Sequence, residues 1–297
     1  MDDLFSTLAV MDRRIAVLLA ALLGLVALAC KGGTDAGADP GSTPTGKPRT
    51  DLPSSMVALG DSITAGFGSC LALTSCLRNS WATGDGTLVN SHYKRIRAGN
   101  PAIKGKAHNV STSGATVHDL PGQAAAAVGF QPDYVAVLIG ANDACTRTID
   151  QMTGRADFAT QFGAALKTLR NGLPKARVLV VSIPDVYHVW ELVHTRKSAQ
   201  EVWGLGVCQS LLANPTSTAA ADNARRQKFR DRIDQYDSAM AAACKDYGSR
   251  CRWDNGAAHG VAFTVDKLNT LDFFHPNADG QTALATVTYP GSFTWGS

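Results

Sequence analysis

The chain has 297 residues, 45% of them hydrophobic, which allows one large α/β domain or two small ones, each with a buried core. Its formal charge is +3, and without residues 1–29, whose own net charge is −1, the remainder carries +4. A balance this mild and this evenly spread excludes the basic stripe that a nucleic-acid partner requires.

Arg13 and Arg14 precede an uncharged run from Ile15 to Ala29, so residues 1–29 have the layout of a signal peptide: a basic start, an apolar middle and small residues before Cys30. The fifteen residues of the run fall short of the roughly 20 that a membrane-spanning helix needs. Residues 1–10 are acidic, so Met11 competes with Met1 as the initiator. Ala27-Leu28-Ala29-Cys30 looks like a bacterial lipoprotein cleavage site, although Ala27 stands where that pattern has Leu. Plain secretion and a lipid anchor on Cys30 in the cell envelope are both open, and the next segment favours the anchor. Residues 30–53 are rich in Gly, Ala, Asp, Pro, Ser and Thr and lack apolar periodicity. They read as a flexible tether that would hold a domain of residues 54–297 off a membrane surface.

Met56 to Leu59 has the length of a buried strand and ends at Gly60, which puts Ser62 just past a strand's carboxyl end. Residues 66–86 read as a long loop pinned by a Cys70 to Cys76 bridge. A helix carries Val89, Tyr93 and Ile96 on one face, Lys106 to Val110 is a weak strand, and Leu120 to Val128 a short helix. Tyr134 to Ile139 and Val178 to Ile183 are unbroken apolar runs, the signature of parallel strands covered on both faces. Between them Phe158, Phe162, Leu166 and Leu169 mark an amphipathic helix stopped by Gly172 and Pro174. Residues 185–215, with Trp190, Trp203, His188, His194 and Cys208, break the rhythm and read as a partly helical insertion that walls one side of a cleft. Phe229, Ile233, Tyr236 and Met240 define a long helix from about Ala221, and Cys251-Arg252-Trp253 a last strand. Helix alternating with apolar strand predicts a parallel sheet with helices on both faces.

Beyond Cys30 there are six cysteines, Cys70, Cys76, Cys145, Cys208, Cys244 and Cys251. An even number in an exported chain points to disulfides, and pairing in sequence order, which closes two short loops, is the expectation. No Cys-x-x-Cys pair supports a metal site.

A serine hydroxyl needs a base to remove its proton, and histidine is suited to that near neutrality. Of seven histidines, three have a carboxylate three residues earlier: His188 after Asp185, His194 after Glu191, and His275 after Asp272. Spacing leaves the choice among them open. Four separated blocks, Gly60-Asp61-Ser62, Ser113-Gly114, Gly140-Ala141-Asn142-Asp143 and Asp272-Phe273-Phe274-His275-Pro276, together resemble the signature blocks of the SGNH (GDSL) hydrolases from Met56 onward. The resemblance selects His275, since only that histidine is followed by proline in a matching block. It implies a three-layer α/β/α sandwich with a flavodoxin-like, mostly parallel sheet of about five strands. It further implies catalysis by Ser62, Asp272 and His275, and an oxyanion hole of the Ser62 and Gly114 backbone N–H groups and the Asn142 amide. The expected activity is carboxylic ester hydrolysis through an acyl-enzyme on Ser62, by a monomer without metal or organic cofactor, acting on a small acyl ester, a lipid or an acetylated carbohydrate.

The α/β-hydrolase elbow, Gly-x-Ser-x-Gly, is excluded because Thr64 occupies the second glycine position. A metallophosphoesterase would need a histidine after the Gly-Asn block, where Asp143 stands. A surface-displayed binding lipoprotein on the same scaffold is the non-enzymatic alternative, since a fold alone does not establish activity.

Overall fold

The computed structural model describes residues 49–70 and 72–296. The expected signal peptide, Cys30 and most of the expected tether lie outside them. Strands β1 (Met56–Gly60), β2 (Ala107–Asn109), β3 (Tyr134–Leu138), β4 (Arg177–Val180) and β5 (Cys251–Trp253) form an all-parallel sheet in the order β2-β1-β3-β4-β5. β1 and β3 are buried at every position, which is why they read as continuous apolar runs. β4 ends at Val180 while the apolar run continues to Ile183, whose N–H donates to the Asp237 carboxylate at 2.9 Å.

Helices α1 (His92–Gly99), α2 (Leu120–Gly129), α3 (Ala141–Ala144), α4 (Arg155–Gly172), α5 (Val186–Val193), α6 (Lys197–Trp203), α7 (Gln209–Leu212), α8 (Ala220–Tyr247) and α9 (Ala278–Thr288) surround the sheet. The chain steps outward from β1 to β2 and in the opposite direction from β2 through β3 and β4 to β5. Right-handed crossovers therefore place α1 on one face and α2, α4 and α8 on the other. α9 joins α1: buried His92 of α1 bonds Thr288 of α9 at 2.9 Å and the Tyr134 hydroxyl of β3 at 3.0 Å. On the other face the Phe158, Phe162, Leu166 and Leu169 stripe of α4 is buried, and Phe158 stacks on Tyr236 of α8 at 4.1 Å.

Several boundaries differ from the expectation. α1 starts at His92, after Val89, because the Ser91 side chain caps it by accepting from Lys94 N–H. The terminal helix α9 went unread, although Asn277 caps it by accepting from the Asp279 and Gly280 N–H groups. Residues 49–53, assigned to the tether, are packed: Arg49 N–H donates to Gly99 O, the Asn100 amide donates to Leu52 O and Pro53 O, and Leu52 is buried. The disulfides are Cys70–Cys76, Cys145–Cys208 and Cys244–Cys251, the sequential set expected. No helix among the described residues is long and apolar enough to cross a membrane.

Order reversal in the sheet puts a crevice between the carboxyl ends of β1 and β3, where open α/β sheets bind ligands. Gly60 makes that exit possible. Its φ is +148°, and a Cβ there would stand 2.1 Å from Leu138 O and 2.6 Å from Thr64 Oγ1. Gly60→Ala is expected to destabilise the protein by about 2 kcal/mol or more in urea unfolding, and an unchanged midpoint would contradict this role.

Candidate active site

Ser62 lies two residues beyond the Gly60 exit with 7% of its surface exposed. Its Oγ is 3.0 Å from His275 Nε2, and His275 Nδ1 is 2.7 Å from Asp272 Oδ2. The turn from Asp272 to His275 passes through Phe273 at φ +52°, a left-handed conformation tolerated where surrounding contacts enforce it. That turn folds two backbone donors onto Asp272 Oδ1, the N–H of Phe274 at 2.9 Å and of His275 at 3.1 Å. Asp272 therefore spends one oxygen on the backbone and the other on the imidazole, which fixes the ring that faces Ser62.

The other two histidines that spacing allowed are engaged elsewhere. His188 bonds Glu191 Oε2 at 3.0 Å and Phe263 O at 3.1 Å, while Asp185 caps α5 by accepting the His188 N–H. His194 Nδ1 bonds Trp190 O at 3.0 Å.

A model of the GDSL-like lipase/acylhydrolase family matches residues 58–283. The chain belongs to that family. No curated protein matches it in sequence at a significant level. Among solved structures it is similar to a candidate GDSL-like lipase from Parabacteroides merdae, with 17% identity over 80% of this chain and 93% of that one and a TM-score of 0.50. It is also similar to the esterase EstA from Pseudoalteromonas sp. (16% identity, 80% and 94% coverage, TM-score 0.45) and to a family 3 carbohydrate esterase from Clostridium thermocellum (14%, 79% and 92%, TM-score 0.47). At this identity the likeness to the Parabacteroides merdae structure speaks for the fold alone.

In this GDSL-like hydrolase, β3 brings the Asn142 block to the same rim. Gly140 turns the chain at φ +120°, where a Cβ would meet Ile183 at 2.6 Å and Phe158 at 3.2 Å. Asn142 follows on the single turn α3, and its amide donates to Ala115 O at 2.9 Å, leaving its second N–H uncommitted to that bond. Gly114 does not line the cavity beside Ser62; it sits on an exposed turn at φ +84° with nothing within 4 Å of its missing Cβ. The turn is held on both sides: Thr112 N–H donates to Gly60 O at 3.2 Å, Asn142 holds Ala115, and Val117 N–H donates to Asp143 Oδ2 at 2.9 Å.

Residues that sequence reasoning passed over support this rim. Buried Asp143 also accepts from Thr153 Oγ1 at 2.8 Å, and burial pushes its carboxyl up to about 6. Its place beside Asn142 was the available signal. Gln123 of α2 clasps Gly60, accepting its N–H at 2.7 Å and donating to its carbonyl at 2.9 Å. Asn269 accepts the Leu271 and Asp272 N–H groups and donates to Gly68 O. Trp203, in the insertion, donates from Nε1 to Asp272 O at 3.1 Å. For Gln123 and Trp203 no local pattern exists, because their partners are backbone groups distant in sequence, while the turn that Asn269 makes with Leu271 and Asp272 is local and only its bond to Gly68 is distant.

Asp61 is fully buried beside Ser62. Its Oδ1 accepts the Ile63 N–H at 2.9 Å and its Oδ2 finds no partner among the described residues. Burial raises its pKa to about 7, a rise that the Ile63 hydrogen bond and His275 only partly offset. The folded state therefore holds this proton more tightly than the unfolded chain, so ionising Asp61 costs stability progressively between about pH 4 and pH 7. Asp61→Asn removes that titration. Its stability relative to the parent is expected to rise between about pH 4 and 7 and then level off, read by chemical unfolding at each pH, whereas a gap independent of pH would refute the buried-acid assignment.

Proposed function

We propose that this GDSL-like hydrolase cleaves carboxylic esters through an acyl-enzyme on Ser62, and the observation that carries the reading is the 3.0 Å approach of His275 Nε2 to Ser62 Oγ. In the first step Ser62 Oγ attacks the ester carbonyl while His275 Nε2 takes its proton. Asp272, already bonded to Nδ1, holds the ring in the tautomer that leaves Nε2 free to accept and stabilises the imidazolium that forms. Charge on the tetrahedral oxygen goes to the Ser62 and Gly114 backbone N–H groups and the Asn142 amide, donors set before the reaction begins. Collapse breaks the carbonyl–alkoxide bond, and His275 returns the proton to the departing alcohol. Water then enters beside His275, is deprotonated by it, and displaces the acyl group as a carboxylic acid, restoring Ser62.

Exposed Gly114 suits its part, since a bare backbone amide on an open turn admits a carbonyl oxygen closely. The three disulfides favour an exported protein, because such bonds persist in oxidising compartments. That supports the reading of residues 1–29 as a signal peptide and of the remainder as the catalytic unit with its tether.

Ser62→Ala is expected to abolish turnover of a short-chain aryl ester, and an organophosphonate is expected to label Ser62 in the parent protein and nothing in the variant. Asn142→Ala is expected to lower kcat roughly a hundredfold or more with the labelled residue unchanged. Near-parental turnover in Ser62→Ala would remove the nucleophile assignment.

A further inference from the structure

Beside Ser62 and His275 lies a cavity of about 30 Å³ whose walls are mostly apolar. One wall is helix α5 of the insertion. Asp185 caps it, and Val186 and Val189, three residues apart on one helix face, turn toward the cavity and are buried. Phe263 and Phe274 line it as well.

We infer that this cavity receives the acyl chain and restricts the enzyme to short acyl groups, with at most about two or three carbons beyond the carbonyl held at Ser62, because each water-sized group needs about 10–15 Å³ of such a space. The inference rests on the acyl-enzyme reading above and assigns its substrate class.

Two arguments carry it. First, the acyl and alcohol sides of the ester have different needs. Water must later occupy the position that the alcohol leaves beside His275, so the alcohol side has to stay wet and open. A small apolar cavity offers a water few of the two to four polar partners that hold it, but it suits a hydrocarbon chain that remains through both steps. Secondly, the walls are tied together. His188, on α5, bonds the carbonyl of the lining residue Phe263 at 3.1 Å, and Trp190 Nε1 on the same helix donates to Pro215 O at 2.8 Å. The disulfide Cys145–Cys208 joins the end of α3, next to Asn142, to the insertion. Widening the cavity for a long chain would break these ties, so its size acts as a limit.

The test is kcat/KM along a series of 4-nitrophenyl esters from acetyl to dodecanoyl, with a second series of acetates of increasingly large alcohols. The parent protein is expected to prefer acetyl to butyryl and to lose about tenfold or more by octanoyl, while varying little along the alcohol series. Val189→Ala is expected to move the optimum toward longer acyl chains by about tenfold in the octanoyl-to-butyryl ratio, and Val189→Phe to confine it to acetyl. A flat or rising acyl profile in the parent protein overturns the proposal without any variant. So does a Val189 effect confined to the alcohol series, or no effect on either. Thermal unfolding of both variants shows whether they remain folded, and the parent series stands if they do not. Phosphonate labelling separates the two levels: a labelled Ser62 with a flat acyl profile refutes the chain-length limit alone, and an unlabelled Ser62 refutes the acyl-enzyme and with it this inference.

Discussion

The parallel pairing of β1 and β3 governs the rim of this protein. The two strands are in register from Met56 with Tyr134 to Gly60 with Leu138, and each leaves the sheet through a glycine at positive φ, Gly60 and Gly140. Their side chains fill both faces of the sheet, so only the backbone beyond their ends is free to form a site. The approach of Gly60 to Leu138 O leaves no room for a Cβ, and that closeness brings the turns carrying Ser62 and Asn142 to one rim. Had β3 been added beyond β2 instead of on the other side of β1, no crevice would lie between these ends.

Around that crevice the insertion of residues 185–215 serves two ends. Its Trp203 holds the backbone of Asp272, and Ser210 donates to Ala144 O at 2.6 Å while its backbone N–H bonds Thr146 O at 2.8 Å. The covalent tie of Cys208 to Cys145 adds to these bonds. The same segment supplies Val186 and Val189 to the apolar cavity. Preorganisation of polar groups and the shape of an apolar wall thus come from one element, and a substitution within it touches both.

Buried acids mark the cost of the arrangement. Asp61 and Asp143 both have raised pKa values because water is excluded from them. Asp143 recovers part of that loss through the Val117 and Thr153 donors, the first of which also anchors the turn bearing Gly114. Among the described residues Asp61 has one donor to Oδ1 and none to Oδ2. Its burial follows from the tight exit at Gly60, where Asp61 is the first residue to leave the sheet.

Sequence alone determined the elements whose signal is local. Continuous apolar runs gave β1, β3 and β4 because both faces of those strands are covered, and the spacing of Phe158, Phe162, Leu166 and Leu169 gave α4 because one stripe faces the sheet. Four short blocks pointed to residues of the rim through their resemblance to the SGNH (GDSL) hydrolases, a signal legible because each block is a short strand end or turn. Cysteine order gave the disulfides, two of which close short loops. Spacing left three histidines open, since Asp185, Glu191 and Asp272 stand at the same offset; the resemblance of its block singled out His275, and the tertiary structure sets that ring 3.0 Å from Ser62 Oγ while engaging the other two elsewhere. Only the tertiary structure revealed the clasp of Gln123 on Gly60, the hold of Trp203 on Asp272 and the narrowness of the apolar cavity. These join residues far apart in the chain through backbone groups and enclosed volume, which no spacing of side chains along a sequence encodes.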